Sequence, residues 1–158
     1  MRSSGHNVTA IDLGVSGINA KKALEISSYS DYLSPLMEFM ASLPADNKNA
    51  VLVGHSFGEL AISKAMESFP EKISAAVFLT SLMPGPTLNA STVYTEDLMM
   101  ATKLVKPLYL YHEKEVSKEI VLPKERYGSI RRVFIVAAEN KALNKEFQQW
   151  MIHHMKWK

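Results

Sequence analysis

The sequence predicts an α/β fold with a mostly parallel sheet and helices on both faces. Short apolar runs alternate with longer amphipathic segments along the whole chain. This alternation is typical of β-α-β units, in which parallel strands are buried between helices. The 158 residues fit one domain, so we expect a single domain over residues 1–158.

Four apolar runs predict the strands of this sheet, and a fifth is a weaker candidate. Each is short and bounded by turn-forming residues, as expected for buried parallel strands. The four runs are Asn7–Asp12, Ala50–Val53, Ile73–Leu79 and Arg132–Ala137, and the weaker one is Leu108–Tyr111.

Three segments with helical periodicity predict the main helices, and a short one is expected at Asp97–Leu104. The first begins at Ser30 or Asp31, which are plausible caps, and ends near Leu43. The second follows Gly58 and ends at Phe69, before Pro70, and the third spans Lys145–His154. Apolar residues recur every three or four positions on the first two: Leu33, Leu36, Met37, Met40, Leu60, Ile62, Ala65 and Met66.

The composition excludes several classes of function. The chain has no cysteine, so thiolate zinc sites, thiol nucleophiles and disulfides are excluded. A net charge of +2 without a basic cluster gives no footprint for nucleic acid. We find neither a signal peptide nor an apolar run of membrane-spanning length. We therefore expect a cytoplasmic protein with no nucleic-acid or membrane partner.

The strongest motif is Gly54-x-Ser56-x-Gly58, between an apolar strand and a helix. This context predicts a sharp strand-to-helix turn that presents a nucleophilic serine at the helix N-terminus. Glycines two positions before and after Ser56 would remove side chains that collide with the turn. The backbone N–H of Phe57 would face an oxyanion formed at Ser56. Neighbouring His55 cannot reach back to the serine hydroxyl in the usual geometry, so we interpret it as a substrate-pocket residue.

Several segments resemble the plant methylesterase family of α/β-hydrolases, and the resemblance extends from about Gly5 to His154. This family includes salicylic acid-binding, methyl jasmonate and methyl indole-acetate esterases, polyneuridine aldehyde esterase and hydroxynitrile lyases. The matching segments are Gly5–Leu13, Val51–Gly58, Ala65–Glu67, Phe69–Ile73, Ala75–Leu79, Glu125–Ser129, Arg132–Val136 and Glu146–Trp150.

The resemblance implies hydrolysis of small esters by a serine, a histidine and an aspartate, without a metal or cofactor. The partner would be a small-molecule ester or an aryl or alkyl carboxylic acid. Methyl esters of salicylate, jasmonate and indole-acetate all remain open as substrates.

Three departures from the family affect the expected activity. The chain begins after the loop that gives the family its second oxyanion donor, and it stops before the segment with the catalytic histidine. Asn140 stands in place of the triad aspartate, and an amide cannot stabilise imidazolium charge. Residues of about 84–107 resemble a remnant of the family's helical cap, most of which is deleted near Glu96. We therefore expect an incomplete α/β-hydrolase domain with impaired hydrolysis.

Neither the catalytic histidine nor the aspartate of the family is found in this sequence. Four other histidines could replace the missing base, but each is better explained as a surface residue: His6, His112, His153 and His154. The alternatives to an impaired esterase are a non-catalytic truncated remnant and a pseudoenzyme that binds a small molecule.

Overall fold

Three parallel strands form a sheet in the computed structural model, which describes residues 1–14, 26, 28–44, 50–85, 88–89, 92–93, 95, 113–141 and 143–155. Four helices accompany the strands in this described part of the chain. In chain order the elements are α1 (Tyr29–Ser42), β1 (Ala50–His55), α2 (Gly58–Ser68), β2 (Ile73–Leu79), α3 (Glu113–Glu119), β3 (Arg131–Ile135) and α4 (Lys145–His154). Short 3-10 turns cover Arg2–Ser4 and Tyr127–Ser129.

The strands lie in the order β1-β2-β3, so β2 is the central one. At their carboxyl ends His55 lies opposite Leu79, and Leu79 lies opposite Ile135. The residues that follow these three strands therefore meet at one edge of the sheet, which is where open parallel sheets bind ligands.

The two faces of the sheet differ in burial. One face packs on α2 and buries Leu52, Ala76 and Phe78. The helix itself buries its apolar stripe, which confirms all four of the inward positions predicted for it. On the opposite face four side chains are exposed to between 42% and 56%: Val51, Val53, Val133 and Ile135.

Helix α1 begins at Tyr29, and its N-cap lies two residues before Ser30, the first of the two predicted caps. Ser28 is the N-cap: its hydroxyl accepts the Asp31 N–H at 3.0 Å, and the Asp31 carboxylate accepts the Ser28 N–H at 3.1 Å. This reciprocal pair is a capping box, which satisfies two N–H groups at once. Ser30 lies inside the helix, so the prediction of Ser30 as a cap was wrong.

Pro35 lies inside α1 and has no N–H to donate to the carbonyl of Asp31. The Ser34 hydroxyl donates to that carbonyl at 3.0 Å instead. The helix therefore continues past the proline, and it buries Leu33, Leu36 and Met40 as the periodicity predicts.

One predicted strand is absent from the described residues. Residues of the run Asn7–Asp12 have no strand hydrogen bonding, and most of them are exposed. An isolated extended segment is not a strand, because strand structure requires a hydrogen-bonded neighbour. The other three of the four main predicted strands are confirmed, although β1 runs on to His55 and β3 spans Arg131–Ile135. The predicted elements Asp97–Leu104 and Leu108–Tyr111 lie outside the described residues, as does most of the expected cap remnant. Helix α3 was not predicted.

Candidate active site

Ser56 lies in a strained turn between β1 and α2. Its φ of 51° places it in the left-handed region, which costs a residue with a Cβ roughly 1–2 kcal/mol. The serine is exposed, and α2 begins two residues later. Strain of this kind persists only where the surrounding structure enforces it, and it is concentrated at functional sites. The backbone around Ser56 thus has the form of a nucleophile elbow.

The two glycines of the motif do not contribute equally. A Cβ on Gly54 would lie 2.9 Å from the carbonyl oxygen of Gly58 and 2.9 Å from the Ile62 side chain, so no larger residue fits there. A Cβ on Gly58 would meet no atom within 4 Å. The expectation that both glycines prevent a collision was therefore wrong for Gly58. Only Gly54 is needed for the close approach of β1 to α2.

The N-terminus of α2 supplies a positive environment beside Ser56. Phe57 is the N-cap residue, so its N–H precedes the helix and has no partner within it. The Glu59 N–H bonds back to the Ser56 carbonyl at 3.1 Å, which closes the turn. Helix dipole and free N–H together favour negative charge at this point. The geometry is therefore compatible with the predicted role of Phe57 as an oxyanion donor.

His55 is exposed on the open face of the sheet. It alternates with exposed Val51 and Val53 along β1, so its side chain lies on the face opposite α2. A side chain on that face projects away from the helix that follows Ser56. This placement fits the expectation that His55 is not the base, and its role as a substrate-pocket residue stays a prediction.

Asn140 lies in a tight turn beyond the carboxyl end of β3. The Asn140 N–H donates to the Ala137 carbonyl at 3.1 Å, and the Asn140 side-chain oxygen accepts the Leu143 N–H at 2.9 Å. The turn therefore leaves the sheet at the same edge as Ser56. The role of Asn140 in place of the triad aspartate stays a prediction.

Gln148, which sequence reasoning missed, fixes this turn from α4. The side chain is fully buried, and its oxygen accepts the Ala137 N–H at 2.9 Å. Its amide nitrogen donates to the carbonyls of Ala137 at 3.0 Å and Leu143 at 2.6 Å. A signal was available in the sequence, because Gln148 shares a helical face with Met151 and Met155.

Thr80 is a second strained residue at the same edge, also missed. It follows β2 directly, and its φ of 49° is rare for a β-branched residue. Because His55 pairs with Leu79, Ser56 and Thr80 each directly follow a paired residue at the carboxyl edge of the sheet. These are the two non-glycine residues with positive φ in the described part of the chain.

Two side chains from the segment before and within β3 bond to the loop that follows β2. Buried Tyr127 donates its hydroxyl to the Pro84 carbonyl at 2.8 Å, and Arg132 reaches the same oxygen at 3.4 Å. Burial raises the pKa of Tyr127, although the nearby Arg132 charge acts in the opposite direction. The neutral hydroxyl is therefore the stable form at ordinary pH, and it remains a donor.

Three of the four candidate replacement bases are surface residues in the structure, as expected. His6, His153 and His154 are exposed, and the His154 ring stacks on Trp150 with its Nδ1 2.8 Å from the Trp150 carbonyl. His112 lies outside the described residues.

Among the residues with defined positions, no group of three acidic or histidine side chains could hold a metal ion. None of the helices in that part of the chain is long and apolar enough to cross a membrane.

A parallel sheet with a strained serine between a strand and a helix N-terminus defines an α/β-hydrolase core. Comparison with known proteins agrees. Methyl jasmonate esterase 1 of Vitis vinifera is 39% identical over 96% of this chain and 75% of its own length. Salicylic acid-binding protein 2 of Nicotiana tabacum is 36% identical over 98% and 76%. The chain belongs to the plant methylesterase family of α/β-hydrolases.

Solved structures show the same relationship. Tomato methylketone synthase I, in a complex with 2-tridecanone, superposes with a TM-score of 0.83 and 54% identity over 97% of this chain and 76% of its own. Polyneuridine aldehyde esterase superposes with a TM-score of 0.79 and 34% identity over 98% and 78%. No protein-family model matches the sequence. The alignment with methyl jasmonate esterase 1 is 197 positions long, so parts of that relative have no counterpart here.

Proposed function

We propose that this chain hydrolyses methyl esters of small hormone acids through Ser56, at a reduced rate. The observation that carries the proposal is the strained elbow, which presents the Ser56 hydroxyl beside the Phe57 N–H at the start of α2. In this mechanism the hydroxyl adds to the ester carbonyl, and the resulting oxyanion lies against that N–H. Methanol then leaves, and water releases the carboxylic acid.

Asn140 is one of the departures from the family that would lower the rate, beside the missing histidine base and the missing second oxyanion donor. A carboxylate in its place would hold an imidazole in the reactive tautomer and stabilise the imidazolium that forms during attack. A neutral amide provides no such charge, and the corresponding exchange in a serine protease lowers kcat by about 10,000-fold. Salicylate, jasmonate and indole-acetate esters are the candidate substrates, by analogy with the esterases that this chain is similar to.

A second candidate function is decarboxylation of a β-keto acid. The 54% identity with methylketone synthase I favours it, because that protein has been seen with β-ketoheptanoate and with 2-tridecanone. Loss of carbon dioxide from a β-keto acid leaves an enolate, which takes a proton to become a methyl ketone. This reaction needs a donor for the enolate oxygen, such as the Phe57 N–H, but it needs neither a nucleophile nor a carboxylate–imidazole pair.

Replacing Ser56 with alanine separates the two functions. The purified 158-residue chain, the Ser56→Ala variant and a control variant, Ser42→Ala, are given methyl salicylate, methyl jasmonate, methyl indole-acetate and β-ketoheptanoate in separate assays. Ser42 is an exposed serine at the end of α1, so its loss should not affect either activity.

Ester hydrolysis that disappears in Ser56→Ala and persists in Ser42→Ala is the expected result. Release of carbon dioxide from β-ketoheptanoate that survives Ser56→Ala would establish the second function instead. If the folded chain turns over none of these compounds, both catalytic proposals fail. The chain would then be a non-catalytic member of its family, either a remnant or a small-molecule binder.

A further inference from the structure

Gln148 is buried and makes three hydrogen bonds that packing of its helix does not require. A glutamine amide has two donor hydrogens and one acceptor oxygen, and here all three functions are used while the side chain is completely buried. All three bonds go to main-chain atoms of a single turn, residues 137–143. Helix packing alone would be satisfied by an apolar residue such as its neighbour Met151, one helical turn away.

Gln148 bonds to residues on both sides of Asn140 in the chain. Ala137 is held through both its N–H and its carbonyl, and Leu143 is held through its carbonyl at 2.6 Å. Between these two fixed points, Asn140 bonds to the same residues, through its N–H to Ala137 and through its side-chain oxygen to Leu143. The turn is thus closed twice, once by Asn140 and once by Gln148.

We infer that Gln148 is a positioning residue that sets the orientation of Asn140 relative to the edge where Ser56 lies. This inference rests on the proposed ester hydrolysis, in which residue 140 would orient whichever histidine of this chain acts as the base. Catalytic groups must be held closely, since a displacement of 1 Å far from the reacting atoms can lower the rate about 100-fold. Gln148 touches neither substrate nor base in this role, and it acts only through the turn.

The test combines two substitutions with a direct measurement of the turn. Asn140→Asp restores a carboxylate, and it should raise kcat for the ester at least tenfold, given the scale of about 10,000-fold for the reverse exchange in a serine protease. Gln148→Met removes the three bonds at similar side-chain length. Gln148→Asn keeps the amide on a side chain that is one methylene shorter, so it remains usable if the methionine variant does not fold. Gln149→Met, at an exposed glutamine of the same helix, is the matched control.

The expected result is that the gain in kcat from Asn140→Asp depends on Gln148. Asn140→Asp raises kcat in the parent chain and in Gln149→Met, but by less than about threefold in either Gln148 variant, with KM little changed. Amide hydrogen exchange at Leu143 becomes at least tenfold faster in the Gln148 variants. A purely structural role would lower the thermal midpoint and leave the gain from Asn140→Asp intact.

The inference is overturned by an equal gain from Asn140→Asp in all backgrounds, by no gain in a parent chain that shows Ser56-dependent hydrolysis, or by unchanged exchange at Leu143 in a folded Gln148 variant. Failure of the proposed function gives a different pattern, with no Ser56-dependent hydrolysis in any variant, the parent included. In that case the exchange rates alone decide whether Gln148 orders the turn.

Discussion

Lys72 joins helix α1 to the sheet, and its replacement by methionine should destabilise the fold substantially. The lysine is only 7% exposed, and its Nζ donates to three carbonyls at the end of α1. The distances are 2.9 Å to Met40, 3.0 Å to Ala41 and 2.7 Å to Leu43. The Met40 carbonyl also accepts the Leu43 N–H, at 3.3 Å. The ammonium thus adds donors to the carbonyls of the last turn, at the end where the helix dipole favours positive charge.

The size of the effect follows from these contacts. A hydrogen bond to a charged group contributes about 1.5–3 kcal/mol, but three bonds to one ammonium are not additive, and burying the charge offsets part of the gain. We expect Lys72→Met to lower the free energy of unfolding by about 3 kcal/mol. Methionine keeps the apolar length of the side chain, so the loss reports on the charge and its bonds.

Urea denaturation followed by circular dichroism measures this difference at constant m-value. Lys64→Met is the control, because Lys64 pairs with Glu67 at 3.0 Å in a partly exposed i,i+3 pair. Such pairs contribute about 0.5 kcal/mol or less. Equal losses in the two variants would refute the argument that the α1 carbonyls depend on Lys72.

Three further substitutions test the strain at Thr80, the hydrogen bond of Tyr127 and the cap of α1. Thr80→Gly should raise the free energy of unfolding by about 0.5–1 kcal/mol, because glycine adopts positive φ without strain; a lower thermal midpoint would contradict this. Tyr127→Phe should cost about 1–2 kcal/mol at pH 7 by removing the hydrogen bond to Pro84. Because burial raises the pKa of Tyr127, the parent chain gains stability from the neutral hydroxyl below about pH 10 and loses it as the pH rises further. Free energies of unfolding should be measured at pH 7 and again above about pH 10. Between these conditions the parent chain should lose more stability than Tyr127→Phe. Ser28→Ala should destabilise α1 by about 1 kcal/mol while Ser30→Ala has little effect, and equal effects in urea would contradict the capping box.

The sequence was sufficient for the sheet and the elbow because both depend on local pattern. Ile73–Leu79 and Lys145–His154 were predicted with the bounds that the structure has. Apolar runs and helical periodicity need no knowledge of distant residues. The turn at Ser56 was likewise visible, since a strand, a glycine-flanked serine and a helix follow one another directly.

What could not be predicted depends on contacts between residues far apart in the chain. Lys72 reaches carbonyls about thirty positions earlier, and no local feature distinguishes it from a surface lysine. The run Asn7–Asp12 has the composition of a strand but no partner strand among the described residues, and composition cannot supply one. Ser28 and Ser30 are both good caps by type, so only the backbone conformation chooses between them.

The two halves of the candidate site are held by different means, and this difference bears on its chemistry. Ser56 lies in the strained turn between β1 and α2, whereas the turn that contains Asn140 is bonded by the buried amide of Gln148, which we propose to orient it. Ester hydrolysis needs both halves, because the proton of the serine must be removed as the hydroxyl attacks. Decarboxylation of a β-keto acid needs only the donor for the enolate oxygen and a source of one proton. A neutral amide at position 140 therefore lowers the first rate far more than the second. The ratio of the two activities, measured before and after Asn140→Asp, should shift toward ester hydrolysis by the factor that the carboxylate contributes.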